Sequence, residues 1–452
     1  MKKRVTNQDK GQDLTQGPIG KSIAHFALPY MLAYFLQVLY GLADMTIIGH
    51  YCGVEATTAV ANGAQVMHMF TVVAIALSVG GTVCIAKATG ARDAAAQSRY
   101  AGTTLTSFAV LGAVATVLLL TFCQDIVSAI DTPAEAVAAT EDYLNICFAG
   151  APFIVVYNVI ASIFRGLGDT RRPMYFVAAA CAVNIGLDLL FIGHMGLGPS
   201  GAALGTTLSQ AFSVLLAAIS IRQGRAGLEL RRAHLRVDWR AVGDIFRIGT
   251  PVALQDGFIQ LSFMLIMVIA NGRGVTDAAA VGIVEKFIGI LFIVPSAMLA
   301  TTSTMAAQCL GAGMRPRAEA TLRSTLAIAV AFGVLASAAI SAAPDVAVSL
   351  FTADPAVVAS GAEYLRGYVW DCLFAGIHFC LSGYFTACGL SIISFAHNFA
   401  AIVLARLPLA YAASAMFPSS LFPMGLATCA GSLLSDAICA AVFMILRHKG
   451  RI

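Results

Sequence analysis

The sequence predicts an all-α membrane protein that crosses the bilayer many times. Its 452 residues are 58% hydrophobic and only 12% charged, about half the charged share of an ordinary soluble domain. A lipid-facing barrel would show short alternating segments of about ten residues, and the sequence has no such alternation. The balance excludes a cytosolic enzyme, and a net charge of +4 is too small for a nucleic-acid-binding surface.

Twelve apolar stretches are each long enough to cross a bilayer, which takes about 20 residues of helix. The predicted spans are 25–49, 57–84, 100–123, 137–164, 172–194, 200–221, 244–270, 278–308, 320–343, 357–388, 391–415 and 421–446. The longer spans are expected to tilt or to emerge into the interface.

The distribution of basic residues predicts how the chain is oriented. With the N-terminus in the cytoplasm, 24 of the 28 Lys and Arg residues fall in inner segments. Only Arg273 and Arg366 fall on the outer side, and Lys286 and Arg406 lie within spans. Because inner loops are enriched in basic residues, we expect both termini to be cytoplasmic.

Several motifs recur at offsets of 221 to 224 residues. The pairs are Pro29 and Pro251, Tyr143-Leu144 and Tyr364-Leu365, and Pro199-x-Gly201 and Pro423-x-Gly425. Two six-span halves are therefore related by duplication, and because six is even they are parallel repeats.

The duplication divides the chain into two lobes and a linker. We expect an N-terminal lobe at 1–221, a cytoplasmic linker at 222–243 and a C-terminal lobe at 244–452. The linker is basic and partly amphipathic, which suits either a helix lying on the inner leaflet or a solvated connection.

Six acidic residues remain inside the predicted spans, where an ionised carboxylate costs roughly 2.5 to 3.5 kcal/mol on insertion scales. They are Asp44, Asp188, Asp256, Glu285, Asp371 and Asp436. Asp44 and Asp188 each lie 15 residues beyond a proline near the cytoplasmic entry of their span, Pro29 and Pro173. At about 1.5 Å per residue, both reach the outer half of the membrane in one lobe.

Helical spacing places polar partners beside both aspartates. Gln37 and Tyr40 precede Asp44 by seven and four residues, and Asn184 precedes Asp188 by four, so each set shares a helix face. If the two faces meet in a cavity, desolvation and the neighbouring carboxylate both disfavour the ionised form. The pair is then suited to taking up and releasing protons. The alternative is a pair of neutral, hydrogen-bonded acids that only hold helices together.

The C-terminal lobe is charged differently. Arg406 stands 222 residues beyond Asn184, and Ala410 stands where the repeat would place Asp188. The residues of a predicted C-lobe charge network are Glu285, Lys286, Asp371 and Arg406. Structural charge pairing and a role in transport are both consistent with this set.

The sequence contains no motif typical of catalysis. The eleven cysteines include no CxxC pair and are expected to be small buried hydrophobic residues. The eight histidines show no HExxH spacing, and no Ser or Cys lies in a nucleophile elbow. We therefore assign no catalytic residue.

Several segments together resemble the multidrug and toxic compound extrusion (MATE) family. They are Pro29 to Gly49 (PYMLAYFLQVLYGLADMTIIG), Phe164 to Thr170, Asn184-x-x-x-Asp188, and Trp239-Arg240 leading into Ile248 to Pro251. The likeness extends from about residue 17 to residue 446. It implies a V-shaped, two-lobed bundle of twelve helices. It also implies a secondary antiporter that exports organic, often cationic, compounds in exchange for H⁺ or Na⁺.

The resemblance to the prokaryotic DinF-like branch also implies a cation site. Asp44, Asn184 and Asp188 match its coupling residues. The further partners that the branch implies are Gln37, Tyr40, Asn158 and Thr206. The Vibrio-type sodium-coupled branch carries a glutamate nine residues after the proline of span seven, where this chain has Gln260, so that branch's C-lobe cation site is not expected.

These features define the expected transport system. The expected coupling ion is H⁺, with Na⁺ at Asp44, Asn184 and Asp188 as the alternative, and no cofactor is expected. The family implies a monomer in the inner membrane of a prokaryote. The alternative function is a lipid-linked precursor flippase of the wider superfamily, and a third candidate is a structural or channel-like protein.

Overall fold

The computed structural model describes residues 13–130, 132–223, 235–450 and 452, and these residues are predominantly helical. The helices are α1 Ile19–Tyr51, α2 Val54–Gly90, α3 Ala94–Thr121, α4 Cys123–Ala129, α5 Val137–Ala149, α6 Ala151–Gly166, α7 Arg171–Asp188, α8 Gly198–Arg222, α9 Trp239–Asn271, α10 Val275–Leu291, α11 Ile293–Gly311, α12 Arg315–Ala342, α13 Pro344–Ser349, α14 Pro355–Tyr368, α15 Asp371–Ala387, α16 Ser391–Ala401, α17 Leu407–Met416 and α18 Phe422–His448. Two π-helical turns, Leu189–His194 and Ile402–Arg406, follow α7 and α16.

Ten helical segments in the described ranges are long and apolar enough to cross a membrane. The pair Ala134–Ala149 and Ala151–Gly166, bent by 47°, makes an eleventh if it counts as one span. The predicted span at 357–388 falls on α14 and α15, which have 14 and 17 residues. Each is shorter than the roughly 20 residues that a straight crossing requires. This break lies about 221 residues beyond the bend between α5 and α6, as the duplication predicts.

The described chain divides into two compact units. The first contains Leu28–Gly249 with Asp13, and the second contains Leu14–Ala27 and Thr250–Ile452. The division differs from the predicted lobe boundaries at two places, because 14–27 belongs with the second unit and 244–249 with the first. Residues 224–234, the middle of the predicted linker, lie outside the described residues, so a helix on the membrane surface there stays a prediction.

The segment before α1 is held on the second unit by hydrogen bonds. The Leu14 amide donates to Gln308 Oε1 at 3.3 Å. The Arg317 guanidinium donates to the carbonyl oxygens of Leu14 and Gln16 at 3.3 and 2.9 Å. Leu14 is fully buried. These contacts explain why this segment groups with α11 and α12.

The first turns of α9 are packed in the first unit by two close backbone approaches. A Cβ at Gly249 would collide with the Leu77 carbonyl of α2, and a Cβ at Gly80 of α2 would collide with the Ile245 carbonyl of α9. The Tyr100 hydroxyl donates to Asp244 Oδ2 at 2.8 Å. Small residues permit such backbone contact between membrane helices, which accounts for the position of 244–249 in this unit.

A buried arginine joins two helix ends in the second unit. Arg273 Nε donates to Asp277 Oδ2 at 2.8 Å. Its two terminal nitrogens donate at 3.0 to 3.2 Å to carbonyl oxygens at the end of α17 and beyond it, those of Ser414, Phe417, Pro418 and Ser420. The planar guanidinium supplies five donors in a fixed fork, so one side chain satisfies the end of α17.

Replacing Gly249 with Ala is expected to destabilise the first unit. The added Cβ would force α9 away from the α2 backbone, and overpacking of this kind typically costs about 1 to 3 kcal/mol. Unfolding in detergent by urea measures the effect. Gly243→Ala on the same helix is the matched control, since a Cβ there meets nothing within 4 Å. Equal midpoints for the two variants would contradict the packing argument.

Replacing Arg273 with Lys is expected to lower the stability of the second unit by about 1.5 to 3 kcal/mol, the range for hydrogen bonds to charged groups. A lysine retains the charge but has three donors and no fork. The unfolding free energy in detergent is the measurement, with Arg366→Lys as the control because Arg366 is exposed. A loss of similar size in the control would show that the fork contributes nothing specific.

Candidate coupling site

The coupling site predicted from the sequence lies wholly in the first unit, and α1 supplies its first face. Gln37, Tyr40 and Asp44 occur at helical spacing within α1, so they point to the same side. Asp44 is buried, with 8% of its surface exposed. A carboxyl group on a membrane helix that is turned away from lipid and water needs polar partners.

The second face comes from the end of α7. Asn184 and Asp188 are one turn apart and are almost fully buried, at 1% and 0% exposure. Asp188 is the last residue of α7, and the π-helical turn Leu189–His194 begins directly after it. π-helical turns inside helices frequently mark functional sites. The local geometry therefore sets Asp188 apart from an ordinary helix residue.

The structure brings the two aspartates together. The Asp44 and Asp188 carboxyl groups are in hydrogen-bond contact, and the Thr206 hydroxyl donates to Asp44 Oδ2 at 3.4 Å. Apart from the contact between the carboxyl groups, Asp44 Oδ1, both Asp188 oxygens and both polar atoms of the Asn184 amide have no hydrogen-bond partner within the described part of the chain. Buried polar groups are normally paired, so this concentration indicates a site that binds something.

Gly205 on α8 makes room for the pair. A Cβ at this position would collide with Asp188 Oδ1 and would lie 3.6 Å from the Asn184 side-chain nitrogen. The sequence analysis missed this residue, because a glycine in a membrane helix is common and its neighbour on another helix is not visible in the sequence.

A small cavity adjoins the site and contains three of the predicted residues, Gln37, Tyr40 and Asn184. The other lining residues are Tyr157, Val177, Ala180, Cys181, Ser209, Gln210 and Ser213. The polar residues of α8 among them were missed. Their spacing with Thr206, at three to four residues, is the signal of a polar helix face and was present in the sequence.

Two predicted partners are placed differently from each other. Thr206 contacts Asp44, whereas its neighbour Thr207 donates instead to the Ile146 carbonyl at 3.5 Å. Asn158 is buried, and its side-chain nitrogen donates to the Ile154 carbonyl one turn earlier in α6, at 2.9 Å. This bond commits Asn158 to its own helix, so its part in the site stays a prediction.

The second unit contains a separate charge network. The Tyr364 and Tyr368 hydroxyls donate to the two oxygens of Glu285 at 3.3 and 3.4 Å. Arg406 Nη2 donates to the Tyr368 hydroxyl at 3.0 Å, and its guanidinium lies 4.7 Å from the centre of the Phe263 ring. Arg406 is buried, so the network holds a cation of its own.

The other two residues of the predicted C-lobe network separate. Asp371 is almost fully buried and interacts electrostatically with Arg406. Lys286 is exposed on α10, beside Glu285 in sequence but outside the buried cluster. Three of the four predicted residues therefore lie together, and whether they take part in transport stays a prediction.

Comparison with known proteins identifies the family. The family model MatE matches residues 29–190 and again 251–412. The chain belongs to the MATE family. The two matches begin 222 residues apart, which confirms the internal duplication of this MATE transporter. The predicted family and fold class, an all-α polytopic membrane protein of two parallel repeats, are confirmed.

Individual relatives of this MATE protein cover most of its length. The probable multidrug resistance protein YpnP of Bacillus subtilis is 26% identical over 447 residues, 97% of both chains. The multidrug export protein MepA of Staphylococcus haemolyticus is 25% identical over 83% of this chain and 82% of its own. A solved outward-facing structure of a multidrug resistance MATE transporter superposes with a TM-score of 0.91, at 22% identity and 99% coverage of each chain. That likeness shows the fold.

Asp188→Asn is expected to stabilise this MATE transporter at alkaline pH. Ionising both buried carboxyls places like charges in contact, so replacing one with an amide removes a cost, with a gain of roughly 0.5 to 2 kcal/mol. The gain should vanish at acidic pH, where the native pair is protonated. Unfolding midpoints across pH measure it, with the exposed Asp142→Asn as the control. A gain independent of pH would contradict the charge argument.

Proposed function

We propose that this MATE transporter is a secondary active antiporter that exports organic compounds in exchange for inward H⁺. The observation that supports the proposal most directly is the buried contact between Asp44 and Asp188. Two carboxyl groups can hydrogen-bond to each other only when one carries a proton, as in carboxylate pairs that share one. A site of this kind gains and loses a proton without large movement of its side chains.

Na⁺ is the second candidate for the coupling ion. The Asp44 and Asp188 carboxylates and the Asn184 carbonyl oxygen would hold it, because these atoms include buried oxygens without other partners among the described residues. Hard cations prefer oxygen ligands of this type. The proton is favoured, because it accounts for direct contact between the carboxyl groups, which a bound cation would separate.

The proposed mechanism is alternating access of two lobes. Proton binding at Asp44 and Asp188 neutralises the first lobe, changes the packing of α1 and displaces substrate to the outside. A ligand shifts such an equilibrium only by its differential affinity for the two states. Coupling therefore requires that proton and substrate compete for the same charged form, a reciprocal relation. In this scheme Asp44 and Asp188 bind the proton, and Asn184, Thr206, Gln37 and Tyr40 position them.

The proposed substrates are cationic or amphipathic drugs and toxic compounds. The supporting facts are the anionic, water-poor character of the site and the names of the relatives, multidrug resistance and multidrug export proteins. Export of a lipid-linked precursor is the less favoured alternative, because a flippase of anionic lipids requires a strongly cationic cavity. The proposed setting is a monomer in the inner membrane, with both termini in the cytoplasm.

Asp44→Asn is expected to abolish coupling while leaving the protein folded. Purified protein in vesicles is given a pH gradient or a Na⁺ gradient separately, and uptake of tetraphenylphosphonium is followed together with internal pH. The native protein should respond to the pH gradient regardless of Na⁺. The variant should lose tetraphenylphosphonium flux and the accompanying proton movement at least tenfold, because an amide cannot exchange the proton.

The matched control for this experiment is Asp142→Asn, which removes an exposed carboxylate from α5 and should behave like the native protein. Normal pH-driven flux in Asp44→Asn would refute the proton site. Flux driven only by Na⁺ would assign the same residues to Na⁺ instead. Movement of a fluorescent lipid in place of tetraphenylphosphonium would favour the flippase.

A further inference from the structure

A second group of buried titratable side chains lies in the second unit, apart from the Glu285 and Arg406 network. It contains His378 on α15, His397 on α16 and Asp436 on α18. His378 and His397 are 4% and 1% exposed. Burying three ionisable groups among membrane helices is costly unless they are paired or functional. Nothing in the proposed coupling mechanism uses them.

The central contact of this group joins an acid and a base. His378 Nδ1 lies 3.4 Å from Asp436 Oδ1, and the side chains are 5% and 14% exposed. Apart from this contact, His378 Nδ1 and both Asp436 oxygens have no hydrogen-bond partner within the described ranges. A purely structural carboxylate would be expected to accept hydrogen bonds from neighbouring hydroxyls or amides. Asp436 instead faces a group that exchanges protons.

His397 supports the pair from the next helix. Its Nδ1 is 2.6 Å from the Ser435 hydroxyl and its Nε2 is 2.8 Å from the Ser382 hydroxyl. A neutral imidazole has one donor and one acceptor, and hydroxyls serve as either. The ring centroid lies 5.9 Å from that of His378, so a charge on both rings would be repulsive. His397 is therefore a neutral positioning residue.

Few other charges act on the pair. On α15 itself, Asp371 lies two turns before His378 and interacts with both His378 and Asp436, and Arg406 acts on Asp371. On α16 the facing group is His397, and on α18 Cys439 interacts with Asp436. α11 and α12 also pack against α15, and they present the hydroxyls of Thr302 and Thr325, which bond to each other at 2.7 Å.

The group lies toward one end of the second unit. His378 and His397 are each about nine residues from Gly389, in the turn between α15 and α16, or about 13 Å of helix at about 1.5 Å per residue. In the proposed orientation this turn is cytoplasmic. Asp44 and Asp188 are predicted to lie in the outer half of the membrane, so the two sites are exposed to different sides.

We propose that His378 and Asp436 form a second proton-binding site, accessible from the cytoplasmic half of the second unit. With one proton between them the pair is neutral overall, whether the proton is on the carboxyl or on the imidazole. Release of that proton to cytoplasmic water leaves one negative charge, and uptake from water restores neutrality. Only its part in the transport cycle rests on the proposed antiport function.

Proton counting tests the site without transport. Purified protein in detergent is titrated from about pH 9 to about pH 5, a range that spans the ordinary titration of histidine. The native protein is expected to take up one proton more than Asp436→Asn. Ser394→Ala is the matched control, since it removes a buried hydrogen bond from α16 to the Ser382 carbonyl of α15 and leaves the acid and base intact. Equal uptake by native protein and Asp436→Asn would overturn the proposal.

Nitrogen NMR of labelled histidine gives a second readout that does not depend on how well the carboxyl variant folds. One imidazole signal, assigned by its absence in His378→Asn, should change with pH in the native protein and in Ser394→Ala. An unchanging His378 signal together with equal proton uptake would make the cluster purely structural.

Transport in vesicles separates this inference from the proposed function. Asp436→Asn should lower the number of protons exchanged per tetraphenylphosphonium by about one, whereas Asp44→Asn should abolish coupling. Loss of coupling in Asp44→Asn with a native ratio in Asp436→Asn would refute a transport role for the second site alone. A lowered ratio in Asp436→Asn with native coupling in Asp44→Asn would refute the first site alone.

Discussion

The contact between Asp44 and Asp188 is the constraint on which the organisation of the first unit depends. In a membrane interior there is no water to replace a missing hydrogen-bond partner, so an acid pair requires space, local polar groups and a defined position. Gly205 provides the space, and Thr206 provides a donor to one carboxyl. The π-helical turn after Asp188 ends the regular helix where the pair forms. These features serve one carboxyl pair, which explains why three helices carry polar residues at the same level.

The two units show how one duplicated scaffold came to hold opposite charge. Both have a span broken near its middle and a span containing a π-helical turn. The repeat places Arg406 opposite Asn184 and Ala410 opposite Asp188. The first unit therefore holds carboxyls that need an external cation or proton, whereas the second has a guanidinium beside Glu285 and Asp371. A built-in cation removes the need for a bound one, in agreement with Gln260 standing where the sodium-coupled branch has a glutamate.

Much of the fold and part of the site could be predicted because they depend on local periodicity. Spacing along α1 and α7 identified Gln37, Tyr40, Asp44, Asn184 and Asp188, and the duplication followed from repeated motifs. Contacts between helices could not be predicted in this way. The space at Gly205, the bond that turns Asn158 to its own helix and the exposure of Lys286 all depend on how helices face one another. The His378 cluster was missed because its members come from three helices and form no linear motif.

The route by which events at Asp44 reach the rest of the chain follows from how α1 is held. The segment leading into α1 is bonded to Gln308 and Arg317 in the second unit, whereas Asp44 belongs to the first. The change of unit falls beside Pro29, which lacks the amide that a continuous helix needs. In α9 the same change falls beside Pro251, with the first turns fixed by the contact between Gly249 and Leu77. Because each helix is anchored in one unit and continues into the other, a rearrangement that begins at the carboxyl pair must be absorbed at these prolines or passed on through them.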